Sequence, residues 1–552
     1  MIPEIPLAQS ILQILKAYQI KHIVISPGSR NAPLTIGFAS DKAFQCYSIV
    51  DERCAGFFAL GIAQQTKEPV VLVCTSGSAV LNYHPAIAEA FYSQIPLIVL
   101  SADRPLDKID IGDGQTIRQE NVLANHTVYD VNLTADASQL NDDLIQKALH
   151  ECMYKKAPVH INVPFEEPLY NTLSNYTYTP NIQIYIHDKI TPILDKNIVK
   201  KWTSSTKKMV LIGVHPPHEI SDEMIKKLGE DNSVLVFTEI TSNVHHPNFI
   251  SHIDTLIASF TDEEKKEFCP DILVTMGGMV ISKHIKKLLR NLPIKEHWHI
   301  DELRHYDTFS KLTDAIEMQP EQFLQQVYKE NHSIESHYQS IYIEKLKKKV
   351  EKGKKYLENI PFSDLKVFEL LSKHLTSNID LQISNSAGIR YALLFDFQKN
   401  IQVFCNRGTS GIDGSTTTAI GAAVASNRPT TLITGDISFF YDSNALWNQY
   451  IPKHFKIILV NNSGGGIFRI LPGHQESEVF KTYFETSHNL TAKHLAEMYN
   501  FQYITAKNEE EVINGISTIY QTEQPIILEI FTPEKINQDI QRNYFKSVKG
   551  DF

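Results

Sequence analysis

Short apolar runs alternate with amphipathic stretches along most of this chain. Residues 7–18 repeat apolar positions at helical spacing, whereas residues 22–26, 70–74, 96–100 and 159–163 are short and almost continuously apolar. Runs of that length, rich in Val, Ile and Leu, are typical of strands buried on both faces of a parallel sheet. The first 170 residues therefore predict alternating helices and parallel strands.

The same alternation recurs twice more along the chain. A third series of elements starts near residue 362, and a second series lies before it with apolar runs at 209–213, 234–238, 272–275 and 297–300. Strands that alternate with helical segments indicate parallel sheets built from strand-helix-strand units.

Two segments without this alternation separate the series. Residues 164–180 are rich in Pro, Thr and Asn and indicate a linker, whereas the polar, Lys-rich residues 319–358 indicate a solvated helical connector. We therefore predict an α/β protein of three consecutive α/β domains with mainly parallel sheets, at residues 1–170, 181–340 and 360–552.

The first and third series repeat the same order of parts. Residues 70–105 and 430–465 each contain a strand, a small polar turn, a helix followed by a proline, a second strand and another polar turn. At the first turn the third series has Gly435-Asp436 where the first has Gly77-Ser78. The repeat predicts two related domains of which only one binds a metal, although any two strand-helix-strand units share this order.

Polar side chains end both strands of the third-series repeat. Asp436 follows the first strand and Asn462 follows the second. Because the carboxyl ends of parallel strands open onto one edge of the sheet, both side chains are expected in one crevice. Their oxygens suit Mg²⁺, and Gly464 to Gly466 let the backbone approach a phosphate and offer a carbonyl. The pair predicts a metal on a diphosphate, whereas either dipeptide alone is an ordinary turn.

Composition excludes several other functions. The chain has 552 residues, a formal net charge of −10, 42% hydrophobic and 21% charged residues, which is typical of a soluble globular protein and argues against general nucleic-acid binding. Its apolar runs are too short to cross a membrane and its first residues lack a basic, cleavable signal, so we expect a cytoplasmic protein without membrane insertion. Neither a GxxxxGKS/T loop nor a GxGxxG fingerprint occurs.

A carboxylate in the first series adds a second kind of chemistry. Glu52 precedes a helix of small and apolar residues at 55–63, which would hold its side chain at a helix N-terminus and partly out of water. A carboxylate placed in this way can hydrogen-bond a heterocyclic nitrogen and share a proton with it. Taken alone, Glu52 is more simply explained as a helix-capping acid.

These features together resemble the thiamine diphosphate-dependent decarboxylase-like superfamily. In that superfamily a pyrimidine-binding domain supplies the glutamate, a diphosphate-binding domain supplies Asp and Asn to Mg²⁺, and a middle domain separates the two. Within it, the chain is similar to the branch that decarboxylates 2-oxoglutarate and adds the product to isochorismate in menaquinone biosynthesis. The segments that carry this similarity are SPGSRNAPL, DERCAGFFALG, TSGSAVLNYHPAIAEA, SADRP, NRGTSGIDG and NNSGGGIF.

The resemblance implies a set of cofactor-binding residues. Glu52 matches the residue that hydrogen-bonds the aminopyrimidine ring of thiamine diphosphate, and Ile412 matches an apolar wedge under the bent cofactor. Asp436, Asn462 and the carbonyl of Gly464 match the ligands of Mg²⁺, with Mn²⁺ as an alternative. The other residues expected around the cofactor are Gly435, Ile437, Ser438, Gly465 and Ile467.

The resemblance also implies the substrate side of the site. Both substrates are dianions, and arginine matches the geometry of carboxylates best. We expect a catalytic set of Glu52, Gln115, Arg30 and Ser29, in which Gln115 hydrogen-bonds the reacting hydroxyl or a carboxylate. The expected substrate-binding residues are Arg104, Arg390, Arg407, Lys283, Ser386, Phe468 and Leu471.

Alternatives to this reaction remain within and outside the superfamily. Ile437 at the third place of the usual GDG and Gly114 before the glutamine depart from the family pattern, but neither removes a charge. The arginines favour dianionic substrates over the pyruvate, acyl-CoA or aromatic aldehydes of related enzymes. A scaffold that has lost its chemistry is the alternative of another class, and the joint retention of Glu52, Asp436 and Asn462 argues against it.

The division of the site between domains has a consequence for assembly. Glu52 and the metal pair are in different series, so the site must lie between two domains. In the superfamily these domains come from different subunits, which implies a homodimer or a homotetramer with active sites at the subunit interface. Some relatives hold FAD in the middle domain, but no fingerprint for it occurs here.

Overall fold

A computed structural model describes residues 1–184, 192–329, 334–470 and 475–549 of the chain. These residues form three α/β units, each built on one parallel sheet. The predicted fold class is therefore confirmed.

The first unit contains a six-stranded parallel sheet and a short antiparallel ribbon. Its helices and strands are β1 (Ile2–Pro3), α1 (Pro6–Ala17), β2 (His22–Ile25), α2 (Ala32–Ser40), β3 (Gln45–Ser48), α3 (Glu52–Thr66), β4 (Val70–Cys74), α4 (Ala79–Asn82), α5 (His84–Ser93), β5 (Leu97–Asp103), β6 (Tyr129–Asn132), α6 (Gln139–Lys155), β7 (Val159–Pro164) and β8 (Thr172–Leu173). The parallel sheet has the order β3-β2-β4-β5-β7-β6. The segment predicted as a linker contains β8, which pairs with β1 and ties the linker back to the start of the chain.

The middle unit contains a five-stranded parallel sheet. Its helices and strands are α7 (Lys196–Ser204), β9 (Lys208–Ile212), α8 (Asp222–Glu230), β10 (Val234–Thr238), α9 (Ile253–Ile257), α10 (Asp262–Phe268), β11 (Ile272–Met276), α11 (Lys283–Asn291), β12 (Glu296–Ile300), β13 (Asp314–Ile316), α12 (Pro320–Val327) and α13 (Tyr338–Leu357). The strand order is β10-β9-β11-β12-β13, with the edge strand β13 in addition to the four predicted strands.

The third unit contains a second six-stranded parallel sheet. Its helices and strands are α14 (Asp364–His374), β14 (Asp380–Ile383), α15 (Ala387–Ala392), β15 (Gln402–Phe404), α16 (Ser415–Ala425), β16 (Thr430–Gly435), α17 (Asp436–Tyr441), β17 (Lys456–Asn461), α18 (Ile467–Ile470), α19 (Glu478–Phe480), α20 (Lys493–Met498), β18 (Gln502–Ala506), α21 (Glu509–Gln521), β19 (Ile526–Phe531) and α22 (Asn537–Lys549). The strand order β15-β14-β16-β17-β19-β18 matches that of the first unit strand for strand. The repeat seen in the sequence therefore corresponds to two units of the same topology.

Local sequence explains why these elements form where they do. Every residue of β4 and of β17 is buried, as expected for central strands covered on both faces. Helix α3 begins after Asp51, whose side chain accepts the N–H of Cys54, and α14 begins after Ser363, which accepts the N–H of Lys366. Each cap satisfies a backbone donor that the first helical turn leaves free.

Two predicted helical segments differ from the structure. The helix expected between the two strands of the 430–465 repeat is split, because α17 ends at Tyr441 and a 3₁₀ turn follows at Ser443–Leu446. Asp442 at the break turns its carboxylate inward to accept the N–H of Thr417. The connector expected to be solvated forms α12 and α13, and Tyr338 and Tyr342 of α13 are buried against the middle unit.

Close packing of α3 against α16 joins the first and third units. A Cβ atom added to Gly61 would lie 2.1 Å from the carbonyl oxygen of Thr418, and one added to Gly421 would lie 2.1 Å from that of Phe58. Only glycine permits two backbones to approach this closely. Residues of both units around these helices form one continuous hydrophobic core.

Polar contacts extend the same interface to the start of α3. The Arg53 guanidinium lies 3.4 Å from Asp442, and Asn444 donates to Asp51 at 2.9 Å. Asp442 is fully buried and accepts the N–H and the hydroxyl of Thr417. Burial raises the pKa of the Asp442 carboxyl to about 6, although the Thr417 hydrogen bonds and Arg53 oppose the rise.

In the described part of the chain, no helix is both long enough and apolar enough to cross a membrane.

The buried Asp442 predicts a pH-dependent difference between the wild-type chain and Asp442→Asn. The folded chain holds the Asp442 proton more tightly than the unfolded chain, so ionisation costs stability as the pH rises from about 4 to about 6. Relative to Asp442→Asn, the wild type should lose up to about 3 kcal/mol of unfolding free energy across that window. Urea denaturation of both proteins at pH 4, 5, 6 and 7.5 measures the difference. If the difference in unfolding free energy between the two proteins does not change with pH, or shifts in favour of the wild type as the pH rises, the raised pKa assigned to Asp442 would be contradicted.

Candidate active site

The two predicted metal ligands lie at the carboxyl ends of neighbouring strands. β16 and β17 pair in parallel, and Asp436 follows the first and Asn462 the second. Asp436 is 3% exposed and begins α17. One of its oxygens accepts the N–H of Ile437 at 2.7 Å and the other accepts the N–H of Gly464 at 2.9 Å. The structure therefore links the Asp436 turn directly to the Asn462–Gly464 turn.

Asp364 orients the carboxamide of Asn462. The sequence did not indicate that Asp364 belongs to the site. Its carboxylate accepts the Nδ2 group of Asn462 at 2.9 Å and the hydroxyl of Thr532 at 2.5 Å. Because the amide nitrogen is held by Asp364, the amide oxygen is left for another partner. Burial raises the pKa of the Asp364 carboxyl to about 6, and the charge of Asp436 adds to that rise. In sequence, Asp364 looks like any acidic residue in a first helical turn.

His488 lies on the other side of Asp436. The N–H of Leu490 donates to Nδ1 of His488, which places the proton of the neutral ring on Nε2. Nε2 is 3.4 Å from a carboxylate oxygen of Asp436 and makes no hydrogen bond within the described residues. The N–H of His488 donates to the carbonyl of Ser463, so the same segment also supports the Asn462 turn.

The donor set and the backbone around this pair fit a metal bound to a diphosphate. Asp436 and Asn462 offer two hard oxygens, the number and kind of side-chain ligands that Mg²⁺ takes beside phosphates. Gly464 has φ +154°, and a Cβ there would lie 2.8 Å from the carbonyl of Glu485. Its own carbonyl accepts the N–H of Gly466 at 3.0 Å and keeps a second lone pair. Space for a ligand lies beside Gly435, where an added Cβ would meet no atom within 4 Å.

Glu52 occupies the corresponding edge of the first unit. It is the first residue of α3 rather than a residue before the helix, and its side chain is half-buried. Burial raises the pKa of the Glu52 carboxyl, and the neighbouring charge of Asp51 adds to the effect. A carboxylate with a raised pKa at a helix start is a candidate for proton exchange with a bound group.

Loops after the first unit's strands bring further predicted residues to this edge. Arg30 is buried, donates to the carbonyl of Phe165 at 3.0 Å and to Glu167 at 3.1 Å, whereas the adjacent Ser29 is exposed. Arg104 lies 3.5 Å from Asp113. Gln115 has a positive φ of 58° and its side chain reaches within 3.3 Å of where a Cβ of Gly77 would be.

The third unit groups the other two arginines. Arg390 donates to the carbonyl of Ser386 at 3.3 Å, and Arg407 donates to Asn385 at 2.7 Å. Ser386 itself has φ +75°, an uncommon conformation for a residue other than glycine. Burial and the charge of Arg407 lower the pKa of Arg390. Two cations that repel each other in a partly buried place are suited to bind an anion.

Several of these arginines have unused donors. The Nε–H groups of Arg30, Arg104 and Arg407 are buried and have no hydrogen-bond partner among the described residues. A buried donor of a charged group without a partner is costly, so each is expected to be satisfied by a ligand or water.

A cleft of about 1150 Å³ lies between the middle and third units. Lys283, at the start of α11, lines it together with Arg390 and Ile467. Phe468 follows on α18 and packs its ring edge-to-face against Phe484. Leu471 lies outside the described residues. The cleft thus brings the middle unit's Lys283 to the same space as a third-unit arginine.

Glu89 joins the first unit to the loop that contains Arg407 and Ile412. The sequence did not indicate this role of Glu89 either. Its buried carboxylate accepts the N–H of Gly408 at 2.7 Å and both the N–H and the hydroxyl of Thr409 at 2.7 and 2.8 Å. Further along this loop the carbonyl of Ile412 accepts the hydroxyl of Ser438. Glu89 lies within the segment TSGSAVLNYHPAIAEA, but neither that segment nor the periodicity of its helix indicates which group the carboxylate contacts.

The predicted residues thus form two groups within one chain. The first-unit group consists of Ser29, Arg30, Glu52, Arg104 and Gln115. The third-unit group, which Lys283 joins through the cleft, consists of Ser386, Arg390, Arg407, Ile412, Gly435, Asp436, Ile437, Ser438, Asn462, Gly464, Gly465, Ile467 and Phe468. Between the side chains of these two groups, the described residues show no hydrogen bond or ion pair.

Comparison with known proteins identifies the class. The family model described as "Thiamine pyrophosphate enzyme, N-terminal TPP binding domain" matches residues 5–126, and the one for the C-terminal TPP binding domain matches residues 386–530. The solved structure of the Rhodococcus jostii RHA1 thiamine diphosphate-dependent 4-hydroxybenzoylformate decarboxylase has the same fold, with a TM-score of 0.73, 16% identity and coverage of 96% of this chain and 99% of that chain. The chain is a thiamine diphosphate enzyme.

Sequence relatives narrow this class to one family. The 2-succinyl-5-enolpyruvyl-6-hydroxy-3-cyclohexene-1-carboxylate synthases of Flavobacterium psychrophilum and Flavobacterium johnsoniae are 58% and 56% identical to this chain, with 99% of each chain covered. The synthase of Phocaeicola vulgatus is 37% identical, with 98% of each chain covered. The chain belongs to the 2-succinyl-5-enolpyruvyl-6-hydroxy-3-cyclohexene-1-carboxylate synthase family, which confirms the resemblance and the cofactor inferred from the sequence.

The contact between Asp364 and Asn462 predicts that Asp364→Asn weakens cofactor binding. The substituted amide would offer one oxygen where the carboxylate offers two, so the Asn462 amide would no longer be held in one orientation. Titration calorimetry with thiamine diphosphate and Mg²⁺ should show affinity about 10- to 100-fold lower than in the wild type.

Asp380→Asn is the matched control for this experiment. Asp380 is as buried as Asp364 and is bonded to Ser426 and Arg428, but it begins β14, at the opposite end of the strands from the site. Its substitution should leave the affinity unchanged. Equal affinities in the two variants would contradict a role for Asp364 at the site.

Proposed function

We propose that this chain decarboxylates 2-oxoglutarate and adds the resulting four-carbon unit to isochorismate, giving 2-succinyl-5-enolpyruvyl-6-hydroxy-3-cyclohexene-1-carboxylate for menaquinone biosynthesis. The observation that carries the proposal is the Asp436–Asn462 pair at neighbouring strand ends, in a chain that matches synthases of that name over its whole length.

Asp436, Asn462 and the carbonyl of Gly464 would hold Mg²⁺ or Mn²⁺ on the diphosphate of the cofactor. When bound, thiamine diphosphate would supply a nucleophilic ring carbon for attack on a keto group and a positively charged ring that takes up the electron pair of the breaking carbon–carboxylate bond. The residues proposed to contact the cofactor besides these ligands are Gly435, Ile437, Ser438, Gly465 and Ile467. Asp364 and His488 would keep the ligand side chains in place.

Glu52 would exchange a proton with the aminopyrimidine ring. Its half-buried carboxyl has a raised pKa, which favours proton sharing with a ring nitrogen over a permanent charge. Ile412 would support the ring from below, because its backbone is fixed by the hydroxyl of Ser438 and its loop by Glu89. The position of this loop therefore depends on the first unit as well as on the third.

The cations would bind and orient the two dianionic substrates. Arg30, Arg104 and Arg407 support this because each has an Nε–H without a partner among the described residues. Arg390 and Lys283 line one cleft and would bind a further carboxylate there. The polar groups proposed to orient the substrates are Ser29, Gln115 and Ser386, and the apolar wall consists of Phe468 and, outside the described residues, Leu471.

The active site would be completed by a second copy of the chain. Glu52 and the metal pair lie on different units, and no hydrogen bond or ion pair links their two groups within the described parts of one chain. Next to the start of α3, the apolar side chains Val50, Tyr441 and Trp447 are 44%, 59% and 54% exposed. Exposed apolar side chains beside Glu52 are suited to contact a second copy of the chain. They therefore favour a homodimer, or a homotetramer made of such dimers.

We assign the three units to the domains of this enzyme class. The first, residues 1–170, would bind the pyrimidine end of the cofactor, and the third, residues 360–552, would bind its diphosphate. The middle domain would span residues 181–340.

The reaction is tested by mass balance. The purified chain with thiamine diphosphate and Mg²⁺ should release one CO₂ per product formed from 2-oxoglutarate, and isochorismate should be required for product. Glu52→Gln removes the exchangeable proton with little change in shape, so turnover should fall at least about 100-fold while the cofactor still binds. Undiminished turnover in Glu52→Gln would contradict the mechanism, and CO₂ release without use of isochorismate would contradict the reaction.

The location of the site between copies predicts complementation. Glu52→Gln and Asp436→Ala should each be inactive alone. A mixed dimer would have one site with both defects and one with none, so random mixing by co-expression should restore about a quarter of the wild-type activity. Activity that stays at the level of the single variants would mean that both residues act within one chain.

A further inference from the structure

The middle unit contains a buried carboxylate at the place where it meets the substrate-binding cations. Glu239 follows β10 and is 3% exposed. One of its oxygens accepts the N–H of Ile281 and the other accepts the N–H of Ser282, both at 2.7 Å. Ser282 is the N-cap of α11, so Glu239 fixes the backbone immediately before Lys283.

The same carboxylate is close enough to Arg407 of the third unit for the charge of Arg407 to affect its pKa. The positive charge of Arg407 lowers the pKa of Glu239, against the larger effect of burial, which raises it to about 7. On α11 itself, half-buried Lys286 donates to the carbonyl of Val280 at 2.8 Å, and its pKa is lowered by burial and by Arg407. Arg407 therefore repels both Arg390 and Lys286 in a partly buried space, and the ionised form of Glu239 opposes its effect on Lys286.

The strand that leads to Arg407 is also held by the middle unit. Asn243, four residues after Glu239, accepts the N–H of Val403 at 2.7 Å and donates to its carbonyl at 2.9 Å. Val403 lies on β15, which ends three residues before Arg407. One short segment of the middle unit thus positions both Lys283 and the approach to Arg407.

We propose that Glu239 is a positioning residue of the substrate site, which sets Lys283 and Arg407 at the separation that a dianionic substrate requires. The proposal rests on the proposed function, because it takes these two cations as carboxylate-binding groups. It gives the middle unit a direct part in substrate recognition. An ordinary cap would hold only one helix, whereas the segment from Glu239 to Asn243 holds both the start of α11 and strand β15.

Glu239→Gln tests this role by steady-state kinetics. The substitution removes the negative charge of Glu239 and one of the two carboxylate oxygens that accept backbone N–H groups. KM for 2-oxoglutarate or for isochorismate should therefore rise about tenfold, which corresponds to the loss of one charge-assisted hydrogen bond. Titration calorimetry should give an unchanged affinity for thiamine diphosphate with Mg²⁺, since Glu239 does not touch the metal pair. A purely structural defect would lower cofactor affinity and kcat together with substrate affinity.

Glu264→Gln is the matched control. Glu264 is also a middle-unit glutamate that accepts a backbone N–H at a helix start, that of Thr261 at 3.0 Å, but it lies on α10 and pairs with Lys345. Its KM values should equal those of the wild type. If Glu239→Gln is poorly folded, Glu239→Asp, which keeps the charge but is one methylene shorter, should show a several-fold rise in KM with cofactor affinity unchanged.

Two outcomes would overturn the proposal, and a third concerns the proposed function instead. KM values within twofold of the wild type in the folded Glu239 variant, or a rise equal to that of Glu264→Gln, would remove Glu239 from the site. Arg407→Ala serves as the reference arm. If Arg407→Ala leaves both KM values unchanged, the assignment of Arg407 as a substrate cation fails, whatever Glu239→Gln shows.

Discussion

The close contact between α3 and α16 is the constraint on which the site depends. Because Gly61 and Gly421 have no side chains, the two helices approach until backbone meets backbone, and the first and third units share one core. Glu52 begins one of these helices, and the loop with Ile412 leads into the other. Any change in the separation of the helices would therefore move both Glu52 and the loop that contains Ile412. The rigidity of this contact explains how two units with separate sheets present their strand ends in a fixed relation.

Buried carboxylates organise the loops around this framework. Asp364 holds the Asn462 amide, Glu89 holds the loop after Arg407, and Glu239 holds the start of the helix with Lys283. Each accepts at least two hydrogen bonds, so the desolvation cost of the carboxylate is offset by specific partners. Asp364 bonds a residue that is expected to bind a ligand, whereas Glu89 and Glu239 hold the backbone next to such residues. Loops that would otherwise be mobile are in this way fixed before any ligand binds, which lowers the entropic cost of binding.

The distribution of charge explains how an acidic protein can bind dianions. The chain has a formal net charge of −10, yet the strand-end loops of its first and third units carry arginines whose Nε–H groups lack partners in the described parts of the chain. In the third unit, burial and the charge of the neighbouring Arg407 lower the pKa of Arg390. An anionic substrate relieves that repulsion, so binding energy is concentrated where the carboxylates lie. The middle unit would contribute through Lys283, which the sequence predicts as a substrate-binding residue, and through the hydrogen bonds of Asn243 to β15.

The sequence by itself determined the order of elements, the parallel sheets, the repeat and most residues of the candidate site. These follow from local information, since apolar runs, turn residues and motif segments lie next to each other in the chain. It did not reveal Asp364, Glu89 or Glu239, which look like ordinary helix and turn acids, and it did not foresee the break at Asp442 or the burial of α13. Only the tertiary structure decided those features, because each depends on a partner far away in sequence: Asn462 for Asp364, Gly408 for Glu89 and Thr417 for Asp442. The periodicity of a sequence indicates which face of a helix or strand is apolar. The packing of the units decides which group a buried carboxylate contacts.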